Sequence, residues 1–266
     1  MPSADKRARQ KENARAAREQ REAALKRSKR NRSFITYGIV GVVAIGLIFI
    51  LTITGGKKKD NKKAASTTTT TTIPAGCTTK KPPAANPKTY KSAPPMTIDP
   101  AKTYVAHFTT TCGNFDVTLD AKDAPKTVNS FVFLAGQHFY DGLTFQRVAK
   151  DFVVQGGDPK GDGSGGPGYS LPTEPPKAGY QKGSVAMANA GPGTTGSQFF
   201  LVLSDTGAKN LGGPPYLYSA LGTVTKGFEN VQKLGSLYNK DQNPADPSTQ
   251  KTSMPLYMFK VTTTAS

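Results

Sequence analysis

The 266-residue sequence predicts a mainly β domain, a closed antiparallel barrel with two helices over its ends, preceded by one transmembrane helix. Many short apolar segments are separated by Gly and Pro, only two stretches in the C-terminal part have helical periodicity, and one early segment has no charge. We therefore divide the chain into a basic tail (1–32), a transmembrane helix (33–54), a disordered linker (55–100) and the β domain (101–266).

The uncharged segment is expected to cross a membrane. No charged residue occurs between Arg32 and Lys57. Its predominantly apolar part, 35–54, would extend about 30 Å as a helix, which matches the hydrocarbon core of a bilayer. A buried core helix is disfavoured by the charged flanks, and a cleaved signal peptide by the length of the segment and the lack of an A-x-A-like site. We interpret the segment as an anchor.

The formal net charge of +17 is concentrated before the β domain. Residues 1–100 contain 21 Lys/Arg and 6 Asp/Glu (21 − 6 = +15), whereas residues 101–266 contain 14 and 12 (14 − 12 = +2). We therefore expect no nucleic-acid binding and interpret the basic tail as a topology signal. Eight cations in 13–32 against five in 57–76 predict a cytoplasmic N-terminus and an extracytoplasmic β domain at the cell membrane.

The linker contains too few large apolar residues to offset the entropy of ordering it, so a flexible coil is predicted. One of the two cysteines, Cys77, lies in this linker, and the other, Cys112, lies beside Gly113 at a predicted hairpin tip. Outside the cytoplasm the two could form a disulfide, which would close a loop of about 35 residues. Two unpaired thiols are the alternative, because a flexible linker imposes no geometry that favours contact. No Cys/His cluster suggests a metal site.

The β domain begins with two strands that pair across Gly113, and Pro125 then opens a helix with an apolar stripe. A weaker helical pattern covers 226–237. The remaining predicted strands lie near 143–148, 152–156, 184–189, 198–203 and 256–261.

Two segments mix polar and aromatic residues in a way that a pure core would not. The first runs from Phe145 to Asp158 and the second from Gly183 to Phe200. Strand alternation sends Phe199 and Phe200 to opposite faces, so that one can fill a core while the other lines a groove. Alternation also places Arg147 on the face of Phe145, where an apolar residue is expected. Arg147 is therefore a functional candidate, with a surface salt bridge as the alternative.

The patterns FxRVxxxFVVQGGD (145–158) and MANAGPxTxGSQFF (187–200) resemble the two signature stretches of cyclophilins, and the similarity extends over about residues 101–262. The resemblance implies an eight-stranded barrel and peptidyl-prolyl cis/trans isomerase activity on unfolded or extended polypeptides, assisting their folding. It implies no cofactor, and we expect a monomer. The alternative function is a peptide-binding chaperone or assembly scaffold with little turnover.

The resemblance also assigns roles to residues. It implies that Arg147 is catalytic, that Gln155 and Gln198 orient the substrate and support the arginine, and that the backbone at Asn189, between Ala188 and Ala190, binds an extended peptide. The residues that it assigns to the proline pocket are Phe152, Val153 and Phe200, with Tyr218 in place of a histidine and either Leu217 or Leu211 as the pocket leucine. Because the chain has no tryptophan, weak cyclosporin binding is expected.

Such a site suits a reaction that breaks no bond. Amide resonance gives the X–Pro bond a rotational barrier of about 18–20 kcal/mol. Catalysis then requires only that the twisted amide is bound better than either planar isomer, and neither a nucleophile nor an acid–base pair is needed.

Overall fold

The computed structural model describes residues 73–266. The predicted basic tail and transmembrane helix lie outside these residues. Within 73–266, no helix has the length and apolar character needed to cross a bilayer.

One antiparallel sheet of eight strands forms the centre of the described structure, and it curls around an apolar core. The strand order is β3-β4-β6-β5-β7-β2-β1-β8. The strands are β1 (Tyr104–Thr110), β2 (Gly113–Leu119), β3 (Arg147–Ala149), β4 (Val153–Gly156), β5 (Ser184–Met187), β6 (Phe199–Val202), β7 (Ser219–Lys226) and β8 (Met258–Ala265).

The two edges of the sheet approach each other without forming a continuous ladder, so the predicted closed barrel is corrected to a curled open sheet. Just before β3 and β8, Thr144 and Tyr257 form an isolated bridge, flanked by the hydrogen bond from Phe145 N to Leu256 O (2.8 Å). Further along, Val148 N of β3 donates to Gln250 O in a loop. This loop occupies the edge of β3 that β8 would need for closure.

Three α-helices occur in the described residues: α1 (Pro125–Gly136), α2 (Asp205–Asn210) and α3 (Phe228–Ser236), with a 3-10 turn at Pro247–Thr249. Helices α1 and α3 were predicted, and α1 begins with its proline. Helix α2 was not predicted, because six residues are too few to show periodicity. It is capped by Ser204, whose hydroxyl accepts a hydrogen bond from Gly207 N (2.9 Å).

Strand β7 was also absent from the predicted elements. Gly222 interrupts its apolar pattern, and glycine is a weak strand former. A Cβ atom at this position would overlap the carbonyl oxygen of Thr118 on β2. Glycine is therefore needed here because the two strands approach closely.

Apolar side chains pack on both faces of the sheet, as the alternation predicted. Phe199 and Leu201 point into the main core, where the rings of Phe108 and Phe115 stack 4.6 Å apart. On the opposite face lies a second group, which we call the outer cluster. Its buried members are Ala149, Val153, Ala186, Phe200, Val202 and Ala208, and Phe152, Tyr180, Ala188, Leu211 and Tyr218 pack against them.

Residues 77–98, here called the strap, run over the sheet and α1 without regular secondary structure. Its first residue, Cys77, forms a disulfide with Cys112. Near its other end, the buried Asn129 of α1 accepts hydrogen bonds from Thr97 N (2.8 Å) and Ile98 N (3.3 Å).

The structure thus differs from the flexible linker predicted for 55–100, at least over the strap. Cys77, Ala85 and Tyr90 pack against the main core, and Ile98 is buried within it. Backbone groups of the strap also bond to loops that connect the strands, as in the hydrogen bond from Thr78 N to Thr111 O (2.8 Å). Composition did not predict this packing because the apolar residues of the strap are few and irregularly spaced.

Removing the disulfide should destabilise the protein. A loop of 35 residues corresponds to a loss of about 3–4 kcal/mol in the free energy of unfolding, in the chain-entropy account of cross-links. We expect this decrease in denaturant titrations of the double variant Cys77→Ser, Cys112→Ser.

Wild-type protein titrated with and without a reductant provides the matched comparison, and the reduced wild type should behave like the double variant. A difference below about 1 kcal/mol would contradict the expected role of the bridge.

Candidate active site

The candidate catalytic arginine lies on the outer face of the sheet. Arg147 is directly opposite Gln155 on β4, and Gln155 is directly opposite Phe200 on β6. Alternation had placed Arg147 on the face of Phe145, which is wrong. Phe145 belongs to the main core, but the chain leaves regular strand geometry at Phe145 and Gln146, so the alternation restarts at Arg147.

Two glutamines hold the guanidinium group of Arg147. Its Nε donates to Oε1 of Gln250 and its Nη1 donates to Oε1 of Gln155, each at 2.9 Å. Within residues 73–266, no hydrogen bond uses Nη2. The group also lies 5.9 Å from the ring centre of Phe152. The arginine is therefore fixed on one side and has a donor available on the other.

The network continues from Gln155 into the loop after β4. Nε2 of Gln155 donates to Oε1 of Gln198 (3.0 Å), and Nε2 of Gln198 donates to the carbonyl oxygens of Gly163 and Gly165 (2.9 Å each). The structure thus brings together Arg147, Gln155 and Gln198, the three residues to which the resemblance assigned catalytic roles.

Arg147 is the only arginine after Arg32. Burial lowers the pKa of Arg147 from its ordinary value, and the nearby Tyr218 opposes this shift. An arginine with a lowered pKa still carries its charge at neutral pH. Partial burial therefore leaves a cation whose field is less screened by water.

Next to the arginine, the outer cluster offers an apolar surface. The rings of Phe200 and Tyr218 meet edge to face with centres 5.2 Å apart, and Val153 is buried beside them. Of the two leucines proposed for this surface, Leu211 packs against the cluster, whereas the predicted Leu217 is 57% exposed. The structure therefore favours Leu211. Motif spacing could not decide between them because both lie in a loop.

A cavity of about 610 Å³ adjoins this surface, and Gln155, Gln198 and residues 188–190 line it. The Asn189 side chain is tied back, since its Nδ2 donates to Leu217 O (2.8 Å). The N–H groups of Ala188 and Ala190 are bonded to Gln198 O and Thr194 Oγ1. Among the described hydrogen bonds, none uses the backbone of Asn189, so this backbone is available to an extended peptide.

Sequence reasoning missed Gln250, which lies 103 residues after Arg147 and is 3% exposed. Its Nε2 also donates to Pro244 O (3.0 Å), so both ends of its amide are bonded. It occupies an irregular loop with no periodicity and lies far outside the two signature motifs. No pattern in the sequence marks it.

The sequence model of the family described as cyclophilin type peptidyl-prolyl cis-trans isomerase/CLD matches residues 105–254, which is more than half of the chain. The fold and the arginine site agree with this match. The chain belongs to the cyclophilin-type peptidyl-prolyl cis-trans isomerase family.

Individual relatives agree with the family match. A peptidyl-prolyl cis-trans isomerase of Helicobacter pylori is 49% identical over 109 residues, covering 40% of this chain and 66% of the relative. A probable peptidyl-prolyl cis-trans isomerase B of Mycobacterium tuberculosis is 38% identical over 169 residues, covering 57% and 51%. The chain thus spans just under two thirds of the first relative and about half of the second.

A crystal structure of a Cryptosporidium parvum cyclophilin type peptidyl-prolyl cis-trans isomerase has the same fold. It superposes with a TM-score of 0.53 at 23% identity and covers 62% of this chain and 99% of its own. A second structure, obtained in the presence of the dipeptide Ala-Pro, gives a TM-score of 0.51 at 25% identity and covers 59% and 97%.

The geometry predicts that Gln250 immobilises Arg147. Gln250→Ala leaves Arg147 Nε and Pro244 O without their partners, which should lower the free energy of unfolding by about 1–3 kcal/mol. It should also speed hydrogen exchange of the Arg147 Nε–H at least tenfold, as measured by NMR on this single arginine of the described domain.

Gln242→Ala provides a matched control in the same region. The Gln242 side chain accepts a hydrogen bond from Lys150 N (3.1 Å) and donates one to Asn239 O (3.0 Å), and neither bond involves Arg147. Unchanged Nε–H exchange in Gln250→Ala, or equal acceleration in Gln242→Ala, would contradict the assignment.

Proposed function

We propose that this chain is a peptidyl-prolyl cis/trans isomerase that acts on proline-containing polypeptides outside the cytoplasmic membrane and assists their folding. The observation that carries the proposal is the guanidinium group of Arg147, held by two glutamines beside an aromatic surface. The names of the relatives support the same reaction class.

The outer cluster suits the ring of proline. The pyrrolidine ring is apolar and needs a partner surface without unmet hydrogen-bonding groups. Phe200 and Val153 provide such a surface, and Phe152 forms its edge next to the arginine. A proline seated there would place its preceding peptide bond near Arg147.

The arginine provides the difference in binding between ground state and transition state. Rotation about the X–Pro bond removes amide resonance and leaves a lone pair on the prolyl nitrogen. A hydrogen bond from Arg147 to that nitrogen is therefore stronger in the twisted state than in either planar isomer. Each 1.4 kcal/mol of such selective stabilisation increases the rate about tenfold.

Prior positioning of the guanidinium keeps its cost of reorganisation low. A free arginine would have to lose side-chain rotamer freedom when the substrate reacts, which costs up to about 2 kcal/mol. In this structure Gln155 and Gln250 already fix its orientation. Gln198 in turn fixes Gln155 by accepting a hydrogen bond from Nε2 of Gln155.

Arg147→Ala is expected to reduce kcat/KM for a prolyl peptide at least tenfold, because the twisted amide loses about 1.4 kcal/mol of stabilisation. Arg147→Lys should recover only part of the loss, since a lysine cannot bond both glutamines with one planar fork. Turnover is measured by a protease-coupled assay or by NMR exchange spectroscopy.

Lys150→Ala is the control, because it removes a cation from an exposed position three residues away. It should leave turnover unchanged. Wild-type turnover in Arg147→Ala would exclude the catalytic role. Peptide binding without turnover in the wild type would favour the alternative, a peptide-holding chaperone or scaffold.

For localisation, we propose a single-pass anchor at 33–54 with the N-terminus in the cytoplasm. The support is the uncharged segment and the excess of cations on its N-terminal side, eight against five. A disulfide also fits an oxidising compartment. A monomeric state and weak cyclosporin binding complete the proposal.

Protease added to intact protoplasts should then remove the β domain and leave the basic tail. The excess of cations before the anchor predicts that the basic tail stays inside and the β domain lies outside. The survival of the tail and of the β domain therefore reports the orientation. Antibodies against each end measure their survival, and lysed protoplasts show that both ends are otherwise cleavable. Survival of the β domain in intact protoplasts, together with its cleavage after lysis, would contradict the proposed orientation.

A further inference from the structure

The strap reaches the cavity beside the arginine. Thr89 of the strap is one of the residues that line this cavity, together with Gln155 and Gln198. Thr89 lies upstream of residues 105–254, which the family model matches. One wall of the cavity is therefore built by a segment that precedes the matched domain.

The position of Thr89 is fixed by its neighbour. Tyr90 N donates to Pro167 O (2.8 Å), and the Tyr90 ring meets Phe133 of α1 edge to face with centres 5.0 Å apart. The facing residue, Gly168, has a φ of +95°. A Cβ atom at Gly168 would overlap the carbonyl oxygen of Tyr90 and lie 2.5 Å from Cγ2 of Thr89. Glycine thus permits both the turn and the close approach of the strap.

The same loop connects the strap to the catalytic network. On one side of this loop, Pro167 accepts a hydrogen bond from the strap and Gly168 lies close to it. On the other side, Gly163 and Gly165 accept hydrogen bonds from Gln198. Gln198 is bonded to Gln155, which holds Arg147. A continuous series of contacts therefore connects the cavity wall to the arginine.

An extended peptide in the site would reach this cavity within one or two residues of its proline. Arg147 and Gln155 lie on neighbouring strands, about 4.8 Å apart, and an extended peptide advances about 3.3 Å per residue. Gln155 belongs to both the arginine network and the cavity lining. A side chain that flanks the X–Pro pair would therefore enter the space that Thr89 borders.

We propose that the strap, through Thr89, is a specificity-determining element that limits the size of the substrate side chain flanking the X–Pro pair. The inference rests on the proposed function and names a selectivity that the matched domain alone does not determine. Thr89 is exposed in the free protein, so a bound side chain could contact it directly.

The test uses the full chain and two sets of proline peptides, which vary the residue two before or one after the proline from Gly to Leu to Trp. NMR exchange spectroscopy gives kcat/KM for each peptide. Thr89→Phe narrows the cavity and should lower the Trp-to-Gly ratio of kcat/KM at least fivefold in one set. Thr89→Ala widens it and should raise the same ratio at least twofold.

Thr79→Phe is the matched control, since Thr79 is an exposed strap residue that does not line the cavity. It should leave every ratio unchanged. Thermal unfolding of each variant shows whether the fold is retained. Equal effects of Thr89→Phe on all peptides, whether a common loss or no change, would overturn the inference, as would a shifted ratio in Thr79→Phe.

Direct binding separates this inference from the proposed function. Dissociation constants for the same peptides, measured by fluorescence anisotropy, should show the same change in selectivity. A wild type that binds peptides without turnover would contradict the isomerase proposal, and the binding ratios of the Thr89 variants would still decide the role of the strap.

Discussion

The alternation of side chains along β4 and β6 is the constraint on which both the core and the site depend. In β6, Phe199 and Leu201 fill the main core, while Phe200 and Val202 face the other way and form the outer cluster. Because the period of a strand is two, a shift of register by one residue would move Phe200 inward and Phe199 outward. Such a shift would empty the aromatic core and destroy the apolar surface beside Arg147 at once. The packing of the core and the proposed substrate surface therefore depend on the same hydrogen-bonded pairing.

Glutamine side chains extend this constraint from the sheet to the loops. An uncharged amide can donate and accept hydrogen bonds at the same time. Gln155 and Gln198 therefore connect Arg147 to the loop after β4 without adding charge near the guanidinium group. A carboxylate in place of Gln155 would pair with the guanidinium and compete with a substrate for its field. The network thus keeps the arginine both oriented and electrostatically available. Its other end is the loop that contains Gly163 and Gly165, which also contacts the strap. The site is therefore supported by segments that are distant in the sequence: the strap, strands β3 and β4 with the following loop, and Gln198 just before β6.

Much of this could be predicted from the sequence, because the informative signals are local. Proline at the start of α1, the alternation around Phe199 and the two signature motifs each depend on neighbouring residues. The errors involve relations over long distances or irregular backbone. Arg147 was placed on the wrong face because alternation fails where the strand is interrupted at Phe145 and Gln146. Gln250 and Thr89 approach the site from irregular segments, and no periodicity links them to it.

The strap also extends the folded domain upstream of the boundary that composition predicted. Composition predicted a flexible coil over all of 55–100. The disulfide at Cys77 and the contacts that follow it assign 77–98 to the folded domain instead. Because the same strap borders the cavity beside Arg147, the disulfide that ties its first residue to the turn between β1 and β2 also supports one wall of that cavity. A change in the strap would therefore alter both the stability of the domain and the shape of the cavity.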